Sequence, residues 1–128
     1  MRTELEQKFA NRWPTWFDFA ADFRTSAMGR GFEHGDGWFD LVWRLCEELE
    51  PLVAEYEKAT GSRFEVVQVK EKFGGLRFYA HGTNDAIRQR IKAAELESTK
   101  TCELCGSPGQ LFESPWLGVR CDECVQES

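Results

Sequence analysis

The sequence predicts an α+β fold: helices packed on a short antiparallel β-hairpin or sheet, followed by a C-terminal four-cysteine zinc ribbon or knuckle. Three observations carry this expectation. Apolar residues recur every three to four positions as far as residue 60, the period falls to two from residue 64, and two Cys-x-x-Cys pairs close the chain. Length and composition fit one ordinary domain with an appendage. The chain has 128 residues, 41% hydrophobic and 30% charged, and its ten Phe, five Trp and two Tyr give it more aromatic surface than a disordered chain carries. The expected division is a core over 1–100 and a zinc-binding module over 101–128 packed on it.

Each element follows from a local signal. Leu5, Phe9 and Trp13 lie at helical spacing, and Pro14 ends that helix because its ring and missing N–H break the next turn. A short second helix is expected over 15–23, with Thr15 as its cap. Four glycines within SAMGRGFEHGDGWFD then read as a loop. Asp36 is expected to cap the long amphipathic helix that Trp38 or Phe39 opens, with Leu41, Val42, Leu45, Leu49, Leu52, Val53 and Tyr56 on one face. Pro51 predicts a kink or two helices end to end, and Gly61 a stop. FEVVQV and LRFYA are short, β-branched and aromatic, and predict a hairpin around Phe73, Gly74 and Gly75. Thr83-Asn84-Asp85 signals the N-terminus of a last helix with Ile87, Ile91, Ala94 and Ser98 along one face, and Glu95 beside that stripe is placed to bond the hairpin or the metal loop.

The cysteine module is the most specific signal. Cys102, Cys105, Cys121 and Cys124 form two Cys-x-x-Cys pairs with fifteen residues between them, in a chain whose N-terminus MRTELEQKF has neither the apolar stretch nor the cleavage site of a secretion signal. Such pairs read as metal ligands rather than disulfides, because each tight loop sets two thiolates on one side at the separation a tetrahedral ion needs. One structural Zn²⁺ per chain is the expected cofactor, since four thiolates leave no position for a reacting water. Gly106 suits the turn around the first pair, and the spacer with Leu111, Phe112, Trp116, Leu117 and Val119 predicts a small hairpin packed beside the metal. Cys46 sits on an apolar helix face and reads as a buried small side chain.

Charge limits the partners. The net charge of −6 divides as −5 over 1–62, +3 over 63–100 and −4 over 101–128. General duplex binding draws on many cations that release counterions, which an acidic chain lacks. No apolar run reaches the length of a membrane span, so a cytoplasmic protein without a membrane partner is expected. A protein partner fits best, with nucleic acid as the alternative.

That alternative rests on KEKFGGLRFY, where Lys70, Lys72, Phe73, Arg77 and Tyr79 could contact a partner or stack and neutralise a single strand. The plainer reading makes the cations the solvated side of two strands, with Glu71 near Arg77 across the turn. GFEHGDGWFD gathers Glu33, His34, Asp36 and Asp40, which is either a structural loop or a weak metal or general-base site. Joined to Gln68 and Lys70, it is also a poor variant of the Asp…Glu-x-Lys arrangement of magnesium-dependent nucleases, with Gln in place of Glu and Glu71 on the opposite face. The balance of these signals is a binding protein rather than an enzyme.

GDGWFDLVWRLC, VKEKFGGLRFYA, IKAAELES and the terminal CELCG…CDEC together resemble a recurrent group of small bacteriophage, prophage and bacterial proteins, over about residues 31–124. The resemblance implies a mobile-element origin and action inside a bacterial host cell. It also implies an inhibitor or adaptor that engages a host protein, among them components of defence systems, and it brings no catalytic residues with it.

Overall fold

Residues 1–20, 27–113 and 117–126 are described by the computed structural model, and within them the mixed α+β architecture is present. Helix α1 (Thr3–Arg12) is followed by a 3₁₀ turn at Ala27–Arg30, strand β1 (Phe32–Glu33) and a second 3₁₀ turn at Asp36–Trp38. Then come α2 (Phe39–Thr60), β2 (Glu65–Lys72), β3 (Gly75–His81) and α3 (Asp85–Ser98). The chain ends in β4 (Gln110–Phe112), β5 (Gly118–Arg120) and α4 (Asp122–Gln126). No described helix is long and apolar enough to cross a membrane.

The hairpin forms as expected, with Lys72 opposite Gly75 and Val69 opposite Phe78. Phe73 and Gly74 both take positive φ, 53° and 85°, as a tight two-residue turn between right-twisted strands requires. Glu71 and Arg77 form no ion pair among the described residues. Glu71 pairs with Leu76, and its Oε2 accepts the turn amide of Gly74 at 2.7 Å, while Arg77 stands opposite Lys70. A bulge between Val66 and Gln68 resets the alternation, so that Val66 and Val69 both face inward.

A third strand is a feature that periodicity does not signal. β1 pairs parallel to β2, Phe32 with Val69 and Glu33 with Lys70, which makes β2 central and leaves β1 and β3 as edges. Both edges are plugged by polar groups, which blocks pairing with a foreign strand. On β1, Phe32 N donates to Glu6 Oε2 at 2.5 Å, and the Met1 amino group donates to Phe32 O at 3.0 Å. On β3, Leu76 N donates to Ser98 Oγ at 2.9 Å and Phe78 N to Glu95 Oε2 at 3.0 Å, so Glu95 bonds the hairpin. Ser98 is fully buried, and Ser98→Ala would strand the Leu76 amide. Urea unfolding should show a loss of about 1–3 kcal/mol at an unchanged m-value.

One core joins these elements. Phe9 is its aromatic hub, with ring centroids 4.7 Å from Phe32, 5.2 Å from Trp43 and 5.3 Å from Phe39. Helix α3 packs on α2 and β3 through Ile87, Ile91 and Ala94, and Asn84 caps it by accepting from Ile87 N at 2.9 Å. Helix α2 runs unbroken through Pro51, which lies on its exposed side, and ends at Gly61 in the left-handed region.

Two expected local features do not form. The described part of 15–23 has no helix, because three aromatics there are drawn to different neighbours. Trp16 packs on Phe64 at 4.9 Å while its carbonyl accepts Val66 N at 2.9 Å, Phe17 meets Phe9 at 5.6 Å, and Phe19 meets Phe32 at 5.9 Å. Residues 21–23 of that segment lie outside the described residues. Nor does Asp36 cap α2, whose N-cap is Trp38. Asp36 instead accepts the Arg2 amide at 2.8 Å and pairs with its guanidinium at 2.7 Å.

Candidate metal centre

The first Cys-x-x-Cys pair is carried on a tight loop that α3 delivers. Thr101 bridges to Pro108, Cys102 N donates to Ser107 O at 2.8 Å, and Gly109 N donates to Lys100 O at 2.8 Å. Gly106 turns the loop with φ 83°, its amide donating to Cys102 O at 2.9 Å. The second pair follows the β4–β5 hairpin, in which Gln110 opposes Arg120 and Leu111 opposes Val119. Helix α4 then starts between the two cysteines, with Cys124 N 3.4 Å from Cys121 Sγ. Glu103 N donates to Val119 O at 3.0 Å and joins the two halves.

All four sulfurs lie within 4.8 Å of one another, and those of Cys105 and Cys121 are 3.5 Å apart. Among the described residues this is the group of three or more ligand side chains placed to hold a metal ion. The thiols are perturbed by the loops that hold them and by one another. Ser107, through its hydroxyl and amide, lowers the Cys105 thiol to about 6. Burial opposes ionisation of Cys102, but the amides of Cys121, Cys105 and Leu104 outweigh it and lower that thiol too. Cys124 is pushed up by its neighbours Cys121 and Cys105. Thiolates this close repel each other, and a cation among them removes that penalty.

The glycine-rich loop supplies the platform on which the first pair rests. Gly37 N donates to Glu103 O at 2.8 Å, Gly35 N donates to Glu103 Oε2 at 2.8 Å, and the Trp38 indole donates to Thr101 O at 2.9 Å. The approach is backbone against backbone. A Cβ on Gly35 would meet Glu103 O, and one on Gly37 would meet Cys102 O, so neither position takes a side chain. Glu103 is held from the other side by Arg120 at 3.3 Å, a pair in which both side chains are largely buried. These contacts are the physical content of GDGW. The spacing of two glycines around an acid, followed by a tryptophan, is the signal that could have pointed to them.

The other candidates fall apart spatially. Glu33, His34, Asp36 and Asp40 form no ligand cluster among the described residues. Glu33 accepts from Gln68 Nε2 at 3.3 Å on the sheet's outer face, and Asp36 is spent on Arg2. Gln68 and Lys70 share that outer face, whereas Glu71 points inward to the turn, so the nuclease-like set does not converge. Cys46 is fully buried, and burial, with Glu50 and Glu47 nearby, pushes its thiol up. Of the spacer residues, Val119 is buried, Leu111 rests against Gly74 at the hairpin turn, and Trp116 lies outside the described residues. The hairpin candidates are brought together, with Lys70 opposite Arg77, Tyr79 opposite Gln68, and Lys72 and Phe73 at the tip.

His34 is buried between Phe32 and Trp38, with ring centroids at 5.7 and 5.5 Å. Its Nδ1 lies 2.8 Å from Gly35 O and so carries the proton, while Nε2 is buried and makes no hydrogen bond. A second proton on Nε2 would have no acceptor. Burial, with a lesser push from the Met1 ammonium, holds the imidazole at about 4, against the pull of Gly35 O and Asp36. The folded value lies below the unfolded one, so this stabilisation is complete above about pH 6.5 and is lost as pH falls toward 4. It amounts to about 3 kcal/mol. His34→Phe should therefore flatten the fall in urea midpoint between pH 7.5 and 5, whereas an unchanged slope would show that His34 is not its source.

Comparison with known proteins finds no matching family model, no matching curated protein and no matching solved structure.

Proposed function

We propose that this chain is a small zinc-stabilised binding protein, of bacteriophage type as the motif order suggests. It would act in the cytoplasm of a bacterial host as an inhibitor or adaptor of a host protein. Zinc is the ion that suits the donor set. Four thiolates about 2.3 Å from a common centre stand about 3.8 Å apart in a tetrahedron, a spacing that the 3.5 Å pair and the 4.8 Å outer limit bracket. With that shell closed the ion has a structural role, fixing a segment too short to form a core alone.

The observation that carries the binding role is how the acidic groups are used. Glu6, Glu57, Glu71, Glu95 and Glu103 each accept a main-chain amide, so these carboxylates serve the fold. What faces outward is shape and charge. Beside the metal knuckle a cleft of about 540 Å³ holds Asp36, Asp40 and Glu97, with Arg2 and Arg44 already paired to two of them. Asp40 is exposed there and takes part in no ion pair among the described residues, which suits a basic side chain of a partner. Affinity capture from a bacterial lysate with mass spectrometry should return a reproducible protein with a basic surface. Raised salt should release it, and Asp40→Lys should lose it. Failure to capture any protein reproducibly would overturn the proposal.

A further inference from the structure

Folding gathers unpaired cations on one hairpin. Arg2, Arg12, Arg44, Arg88, Arg90 and Arg120 are paired with carboxylates, whereas no ion pair among the described residues engages Lys8, Lys58, Arg63, Lys70, Lys72, Arg77, Lys92 or Lys100. Of these, Lys70, Lys72 and Arg77 lie together on the hairpin, with Arg77 Nη1 also donating to Leu76 O at 2.9 Å. Lys70 and Arg77 are directly opposite each other on the outer face of the sheet, and Lys72 is at its tip with Nζ 5.6 Å from the Phe73 ring. Lys92 lines the groove between β3 and α3, together with Tyr79 and Arg88.

Aromatic rings stand at both ends of this row. Tyr79 is 41% exposed, next along the face from Arg77, and Phe73 is 70% exposed at the turn. Phe73 is costly where it stands. Its φ of 53° lies in the left-handed region, which a phenylalanine avoids and an asparagine tolerates, and its ring adds little to the core. Burial therefore does not account for a phenylalanine at this position. The turn is also propped from beneath, since Gly74 lies against Leu111 and Gly118 of the metal hairpin and its amide is held by Glu71. A ring held out on a braced turn is preorganised for contact.

We propose that this face binds a short single strand of nucleic acid, with bases stacking on Phe73 and Tyr79 and phosphates held by Lys70, Lys72 and Arg77. The rings are separated by roughly 15 Å along β3 and the turn, a span for about four nucleotides. Glu33 stands beside Lys70 on β1 and closes that side, so the strand runs along β3 toward Lys92 and Arg88. A single strand supplies what the face lacks, flat π surfaces and regularly spaced anions. A duplex supplies phosphates but hides its bases, and the acidic remainder of the chain repels its second strand. The surface is separate from the acidic cleft, so an adaptor of this design would hold a protein on one side and an exposed strand on the other.

Fluorescence anisotropy of the zinc-loaded chain with short fluorescein-labelled oligo(dT), oligo(rU) and a duplex of equal length tests this. Single strands should bind at low salt at least about tenfold more tightly than duplex. The slope of log affinity against log salt should be about −2, as for three phosphates. Phe73→Asn and Tyr79→Ala should each weaken binding about tenfold, the worth of one stacked base. Because asparagine suits the turn, Phe73→Asn should melt no lower than the parent chain, which separates lost binding from lost fold. Lys58→Ala, at the far end of α2, should change nothing. Equal binding of duplex and single strand, or undiminished binding by Phe73→Asn and Tyr79→Ala, would overturn the proposal. So would a captured protein that depends on Phe73 while oligo(dT) does not bind, and that result would leave the protein-binding role standing.

Discussion

Cys102→Ser is expected to destabilise the whole chain and not merely to loosen its end. Cys102 is fully buried, and the residues on either side of it are the ones that dock on the core, Thr101 on the Trp38 indole and Glu103 on the amides of Gly35 and Gly37. With zinc as the proposed ion, the stake is the apparent binding energy of about 10–16 kcal/mol that structural zinc contributes in small finger peptides, and removing one thiolate forfeits a large part of it. Once the knuckle frays, the indole and two loop amides lose their acceptors, at about 1–3 kcal/mol for each that stays dry. A net loss of at least about 4 kcal/mol, or roughly 10–20 °C in thermal midpoint, follows for a chain of this size. A chelator acting on the parent protein should produce the same shift, accompanied by loss of about one zinc per chain. Lower pH should do so too, because protons compete with the ion for thiolates. Full zinc content in Cys102→Ser, or a midpoint within two or three degrees of the parent, would remove the metal centre from the account of stability.

Signals confined to a few neighbouring residues were legible in the sequence. The cap signal in Thr83-Asn84-Asp85, the Gly61 stop, the hairpin turn within Phe73-Gly74-Gly75 and the paired cysteines each depend on chemistry within about four positions, and all are present, the cap falling on Asn84 and the turn on Phe73 and Gly74. What escaped was set by distant partners. β1 is two residues long, too short for any period, and exists because Phe32 and Glu33 meet Val69 and Lys70 on the far side of α2 in the chain. Asp36 has the right position and chemistry for a cap, yet Arg2 takes it from the other end of the fold. The glycines around it read as freedom for a turn, whereas their role is to let two backbones touch. At the site the ligands were legible, because spacing encodes them. Their support was not, because Gly35 and Glu103 are far apart in sequence. The hairpin contact residues were legible as a set, but only the register shows that Lys70 faces Arg77 and that Glu71 lies on the other side of the sheet.

Trp38 is where core and metal module meet, and its substitutions should be the most costly outside the cysteines. The side chain is fully buried, one face beside the His34 ring, with its N–H on Thr101 O at 2.9 Å. Trp38→Ala removes a large buried ring and opens a cavity under the knuckle, for a loss of about 3–5 kcal/mol. Trp38→Phe is the more informative change. It keeps most of the apolar surface and deletes the donor, so about 1–3 kcal/mol should go with the stranded Thr101 carbonyl and the small void. If the indole serves to hold the module, that cost depends on the module being folded. In a Cys102→Ser background the carbonyl is already free to find water, and Trp38→Phe should cost only its packing share. The two changes should therefore be less than additive by about 1 kcal/mol in a urea double-mutant cycle, whereas distant independent sites add. Strict additivity would mean that the tryptophan stabilises the core alone, and that the cysteine module is attached to it without being braced by it.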